Sequence, residues 1–110
     1  MAGAPVRPGE RAVEITAAGP PELVLPGSRV DVLVTRDHGG TRLALQDVEV
    51  LRAGGAPEGP ASAGAGERVS ATLRVTVRQA VYLTAAQAFA REIRLLPRAA
   101  GDRARAEGLG

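Results

Sequence analysis

Residues 23–53 read LVLPGSRVDVLVTRDHGGTRLALQDVEVLRA, and the alternation within this stretch decides the fold. Pro26-Gly27 opens it. Proline fixes its own φ and glycine accepts a positive one, so the pair turns the chain sharply. Val30, Val32 and Val34 then share one side of a strand running from Arg29 to Arg36, with Asp31 and Thr35 on the other. Asp37-His38-Gly39-Gly40 makes a hairpin connection in which the glycines supply positive φ. The returning strand carries a fault in its alternation. Leu43 and Leu45 are odd while Val48 and Val50 are even, so a regular strand cannot turn all four to one interior. The change of phase at Gln46-Asp47 predicts a β-bulge or a sharp break.

Upstream, Arg11 to Ile15 alternates as a first strand, and Gly19-Pro20-Pro21 ends it in a loop over Ala17 to Glu22. Downstream, Ala53 to Gly66 has no branched aliphatic residue and reads as an exposed, mobile internal loop. Val69 to Val77 gives the cleanest strand, with valine, alanine and leucine alternating against Ser70, Thr72, Arg74 and Thr76. Thr76 and Gln79 have the spacing of a capping box and start a helix that runs to about Ala90. Two helix faces compete for the interior. Periodicity slightly favours Val77, Val81, Ala85 and Phe89 over Ala80, Leu83, Ala86-Gln87 and Ala90. Glu92 to Leu96 forms a last strand. The expected fold is α+β: a mainly antiparallel, twisted or barrel-like sheet of about five to six strands with one packed helix. Residues 1–8 form a flexible lead-in, 9–97 a single domain, and 98–110 a disordered tail.

The 110 residues carry a net charge of +2, and all fourteen basic residues are arginine. Acids sit beside them throughout, as in Glu10-Arg11, Arg36-Asp37, Glu67-Arg68 and Arg91-Glu92. A mixed, solvated surface of this kind lacks the clustered basic face of a nucleic-acid binder. With one Phe, one Tyr and no Trp there is no stacking platform for bases either. Absence of cysteine excludes disulfides and thiolate zinc sites. No apolar run reaches the length of a membrane span, and Met-Ala-Gly-Ala-Pro does not begin a signal peptide. Taken alone, such a chain is soluble and cytosolic; a place outside the cytoplasm requires something upstream.

Asp31, Asp37, His38 and Asp47 are the one group that hints at chemistry, as a small metal-dependent hydrolase would use Asp31, His38 and Asp47. One histidine with scattered carboxylates is poor ligand spacing, and Asp-His-Gly-Gly is turn chemistry. Asp31 reads as an outward strand residue or a loop-tying hydrogen-bond acceptor. Ser28, Ser62 and Ser70 lack the setting of a nucleophile, and the glycines lack that of a phosphate loop. The reading therefore assigns no catalytic residue, cofactor or metal, and the chain is expected not to be an enzyme.

The words PGERAVEI, VLPGSRVDVLVT, LQDVEVL and VTVRQAVYLTAAQAFAREIRLLP resemble the CpaB/RcpC family of Flp (tight-adherence, Tad) pilus assembly proteins, from about Gly9 to Pro97. Pro26-Gly27 through Val32 is the most specific of them. The resemblance implies a non-enzymatic assembly component of a Flp/Tad pilus apparatus, on the periplasmic side of the cell envelope. It also implies partners among other pilus-assembly proteins or an outer-membrane secretin. Family members usually carry a membrane anchor and a SAF (β-clip) domain before this region. Gly9 to Val13 looks like the junction after that SAF domain, so the chain resembles the second half of a longer protein. Val77 stands where the family often has a proline. The comparison favours the Ala80/Leu83 helix face as buried, which leaves Val81, Tyr82 and Phe89 partly exposed as a contact patch. Pro26, Gly27, Val30, Asp31 and Val32 complete the structural or interaction candidates. An alternative within the envelope is a SAF-related chaperone of the flagellar-ring type.

Overall fold

The Pro26-Gly27 turn forms as the sequence requires. In the computed structural model, which describes residues 6–56 and 67–106, Gly27 takes φ +86°. The Ser28 N–H donates to the Leu25 carbonyl at 3.0 Å, the bond of a type II turn with proline second and glycine third. The turn is pinned sideways as well: Gly27 N–H donates to Val50 O at 2.7 Å and Val50 N–H to Ser28 O at 2.8 Å. From it runs β2, Arg29–Thr35, with Val30, Val32 and Val34 wholly buried. The hairpin closes through Arg36 N–H to Gly40 O at 3.1 Å, and Gly39 and Gly40 both have positive φ.

β3, Thr41–Gly55, is a long strand bent by three irregularities. Val30 pairs with Val48 and Val32 with Leu45, so two steps along β2 match three along β3. The expected bulge is therefore at Gln46-Asp47, and Asp47 takes φ 59°, a left-handed conformation that aspartate tolerates better than most residues. It lets Leu45, Val48 and Val50 all face inward. Two further shifts are absent from the sequence reading: one at Ala44, where Val32 pairs with Leu45 but Leu33 with Leu43, and one at Leu51. Val50 pairs with Leu73 but Arg52 with Thr72, which turns Ala53 back to the interior side, opposite Ala71. Three extra residues curl one strand around the barrel.

β1, Glu10–Ala18, and β4, Arg68–Thr76, pair antiparallel along their whole lengths. β1 thus runs three residues past Ile15. The loop expected from Ala17 starts later, because Ala17 and Ala18 are fully buried and Ala17 lies opposite Val69. The last strand, β5, Glu92–Pro97, pairs antiparallel with β2. The ring order is β1-β4-β3-β2-β5, closed by one parallel bridge between Ala18 and Arg94. Five strands and one helix give the small α+β fold anticipated.

α1, Val77–Phe89, begins with the capping box. Gln79 N–H donates to Thr76 Oγ1 at 3.1 Å and Thr76 N–H to Gln79 Oε1 at 2.9 Å. The face that periodicity favoured is the wrong one: Leu83 and Ala86 are buried, while Val77, Val81 and Phe89 are exposed. The cause is the seam. β1 meets β5 only at Ala18, and Gln87 fills part of the gap, accepting from Thr16 N–H at 2.9 Å and donating to Thr16 O at 3.0 Å. Seating that amide on the strand edge brings the alanine side of the helix against the barrel.

The chain after β5 does not leave the barrel at once. Arg98 N–H donates to Arg29 O at 2.9 Å, and Gln46 both accepts from Ala106 N–H at 2.7 Å and donates to Ala106 O at 3.0 Å. The expectation of a disordered tail is thereby corrected for residues 98–106. Residues 107–110 lie outside the described residues. So do residues 1–5 of the lead-in and residues 57–66 of the internal loop; Ala53 to Gly55 belong to β3.

Candidate functional site

The β3 bulge and the returning C-terminal segment bring together one of the two notable clusters. Asp31 Oδ1 accepts from the Asp47 N–H at 2.9 Å and from Arg98 Nε at 2.8 Å. Asp47 in turn receives Arg29 Nε on one oxygen and Arg103 Nε on the other, both at 2.7 Å. The Asp47 side chain is only 4% exposed and that of Arg98 6%. Withdrawal from water raises the Asp47 pKa, but the hydrogen bonds from Arg103 and Arg29 outweigh it and hold the group below the ordinary carboxylate range. Hydrogen bonding to Asp31 raises Arg98 further above its ordinary value. Three of the four carboxylate oxygens of Asp31 and Asp47 accept from arginine or backbone: Asp31 Oδ1 and both oxygens of Asp47. The cluster's evident work is to tie the bulge to the tail.

Asp31 thus occupies the loop-tying role read for it, beside Asp47. His38 is not brought to them. It sits on the hairpin beyond Thr35, which is itself four steps along the strand from Asp31, roughly 13 Å of extended chain. No three His, Cys, Asp or Glu side chains converge as metal ligands among the described residues. Pro26 and Gly27 form the turn, and Val30 and Val32 are wholly buried, so the two valines serve the core.

Val81, Tyr82 and Phe89 lie together on α1, in the second cluster. Val81 is 65% exposed, Val77 43% and Phe89 41%. Tyr82 meets Phe89 edge-on, with ring centroids 6.4 Å apart, and the Arg36 guanidinium covers Phe89 at 5.1 Å. Beside Tyr82 lies an open cleft of about 280 Å³ lined by Arg42, Ala44, Leu45, Arg78, Gln79 and Tyr82. The Tyr82 hydroxyl is shielded from solvent and has no hydrogen-bond partner among the described residues.

The sequence reading missed Arg98 and Arg103, whose carboxylate partners lie far upstream, and the arginines around α1. A buried aspartate at a register break was the available signal for the first group.

A family model described as Flp pilus assembly protein RcpC/CpaB matches residues 3–98. The chain belongs to the RcpC/CpaB family. The matched span covers all five strands and α1, and stops before Asp102, Arg103 and Ala106. Membership in RcpC/CpaB points to a role in Flp pilus assembly, with protein partners and a place in the cell envelope. No helix among the described residues is long and apolar enough to cross a membrane. No curated protein and no solved structure matches the chain.

Proposed function

We propose that this domain is a non-enzymatic assembly component of a Flp/Tad-type pilus apparatus, acting on the periplasmic side of the envelope through protein–protein contacts. Its partners are other pilus-assembly proteins, an outer-membrane secretin among the candidates. Family membership over residues 3–98 carries this reading. The exposed side chains of α1 support it, since large apolar residues left in water mark contact surfaces more often than they mark chemistry.

The test is genetic. Deleting the gene for this chain in its own cell abolishes surface pili while the pilin subunit is still made, and re-expression restores them. Normal piliation of the deletion strain would refute the proposal.

A further inference from the structure

Two sets of arginines on this barrel stand in contrast, while others such as Arg11, Arg52, Arg68 and Arg91 also form no ion pair among the described residues. Around the β3 bulge, Arg29, Arg74, Arg98 and Arg103 each hold a carboxylate. Around α1, Arg36, Arg42 and Arg78 form no ion pair among the described residues, whose ion pairs all involve Arg29, Arg74, Arg94, Arg98 or Arg103. Arg42, Arg78 and Tyr82 line one cleft, and Arg36 lies over the neighbouring Phe89. Among the described residues Glu92 is paired with Arg94, and Asp37, next to Arg36 in the chain, forms no ion pair. Arg78 also occupies the first turn of α1, which holds no acid, where the helix dipole disfavours a cation.

The outer side of α1 is equally unusual for a surface helix. Opposite Leu83 and Ala86 lie Val77, Val81, Thr84, Ala85 and Ala88, all exposed and none charged. Val77, Val81, Thr84 and Ala88 are spaced by four, three and four residues, the spacing with which a helix offers one seam to another element. A helix apolar on both sides is one that expects cover. A second copy of this chain would bring the same unpaired arginines to the contact, and two such short helices alone bury less than a stable dimer requires.

From this we infer that the outer face of α1 and the Arg42/Arg78 cleft receive an acidic, apolar-bearing segment of another protein, its aliphatic side chains on Val77 and Val81 and its carboxylates on Arg42 and Arg78. The inference rests on the docking role proposed above and names the partner's chemistry. Carboxylates presented there exchange water for two guanidiniums, and charge matching sets both the choice of partner and the rate of encounter.

A photo-crosslinking amino acid placed at position 81 or 85 of the full chain, in the cell that makes it, tests this directly. Sequencing of the crosslinked peptide is expected to give apolar residues interspersed with Asp or Glu. Combining the probe with Arg42→Glu/Arg78→Glu, or with Arg42→Gln/Arg78→Gln should the reversal impair folding, is expected to lower the yield at least tenfold. A crosslink to a basic segment or to a second copy, no crosslink, or a yield indifferent to both double variants would overturn it. An acidic segment from a protein unconnected with pili would uphold this surface and defeat the pilus reading. Loss of pili on gene deletion without any crosslink would do the reverse.

Discussion

Gly27 and Asp47 hold the two backbone conformations on which the rest depends, and each follows from residue type. Gly27→Ala forces an L side chain to φ +86° and is expected to cost about 1–2 kcal/mol, read as a lowered urea midpoint. Asp47 tolerates φ 59° and binds two arginines from there. Because its pKa is lowered in the folded chain, its stabilising contribution is full above the unfolded carboxylate value, near about 3.9. That contribution is lost as pH falls through the lower folded value. Asp47→Asn keeps the backbone preference and removes the charge. Urea midpoints followed from pH 7 downward should therefore start lower for the variant and fall less steeply than wild type at the acid end. Asp47 was legible as a register break because branched residues flank it in opposite phase. Its arginine partners were not, since Arg98 and Arg103 sit in an Ala, Gly and charge-rich segment that looks like solvent-exposed tail.

At the level of elements, alternation of branched side chains revealed β2, β4 and β5, and the Thr76/Gln79 spacing revealed where α1 begins. The irregularity at Leu51 was invisible because the residue after it that packs against the core is Ala53, too small to mark a phase. The buried face of α1 was hidden for a related reason: valine, alanine and leucine occur on every side of it. What orients the helix is Gln87, a polar residue bonded to both backbone groups of Thr16. Gln87→Ala removes two hydrogen bonds, at about 0.5–1.5 kcal/mol each. The Thr16 amide should then exchange with solvent deuterium much faster, while amides in the middle of β4 keep their protection.

For the molecule as a whole, the ribbons on either side of the hairpin share one interior with the later strand–helix–strand unit, as Val30, Val50, Leu73, Leu83 and Leu95 are all buried in the same barrel. Closure rests on one bridge between Ala18 and Arg94, with α1 bonded to β1 beside it through Gln87. Ending the chain at Pro97 removes Arg98 and Arg103 and leaves Asp31 and Asp47 short of partners; its thermal midpoint should fall below that of the full chain. The same closure leaves the outer side of α1 free to meet another protein, and that orientation is what the functional reading needs. Equilibrium unfolding of Leu83→Ala beside Val81→Asp measures it most directly. Leu83→Ala should cost about 2–5 kcal/mol by opening a cavity, and Val81→Asp no more than about 0.5 kcal/mol as a surface change. The opposite order would place Val81 in the core and remove the contact face altogether.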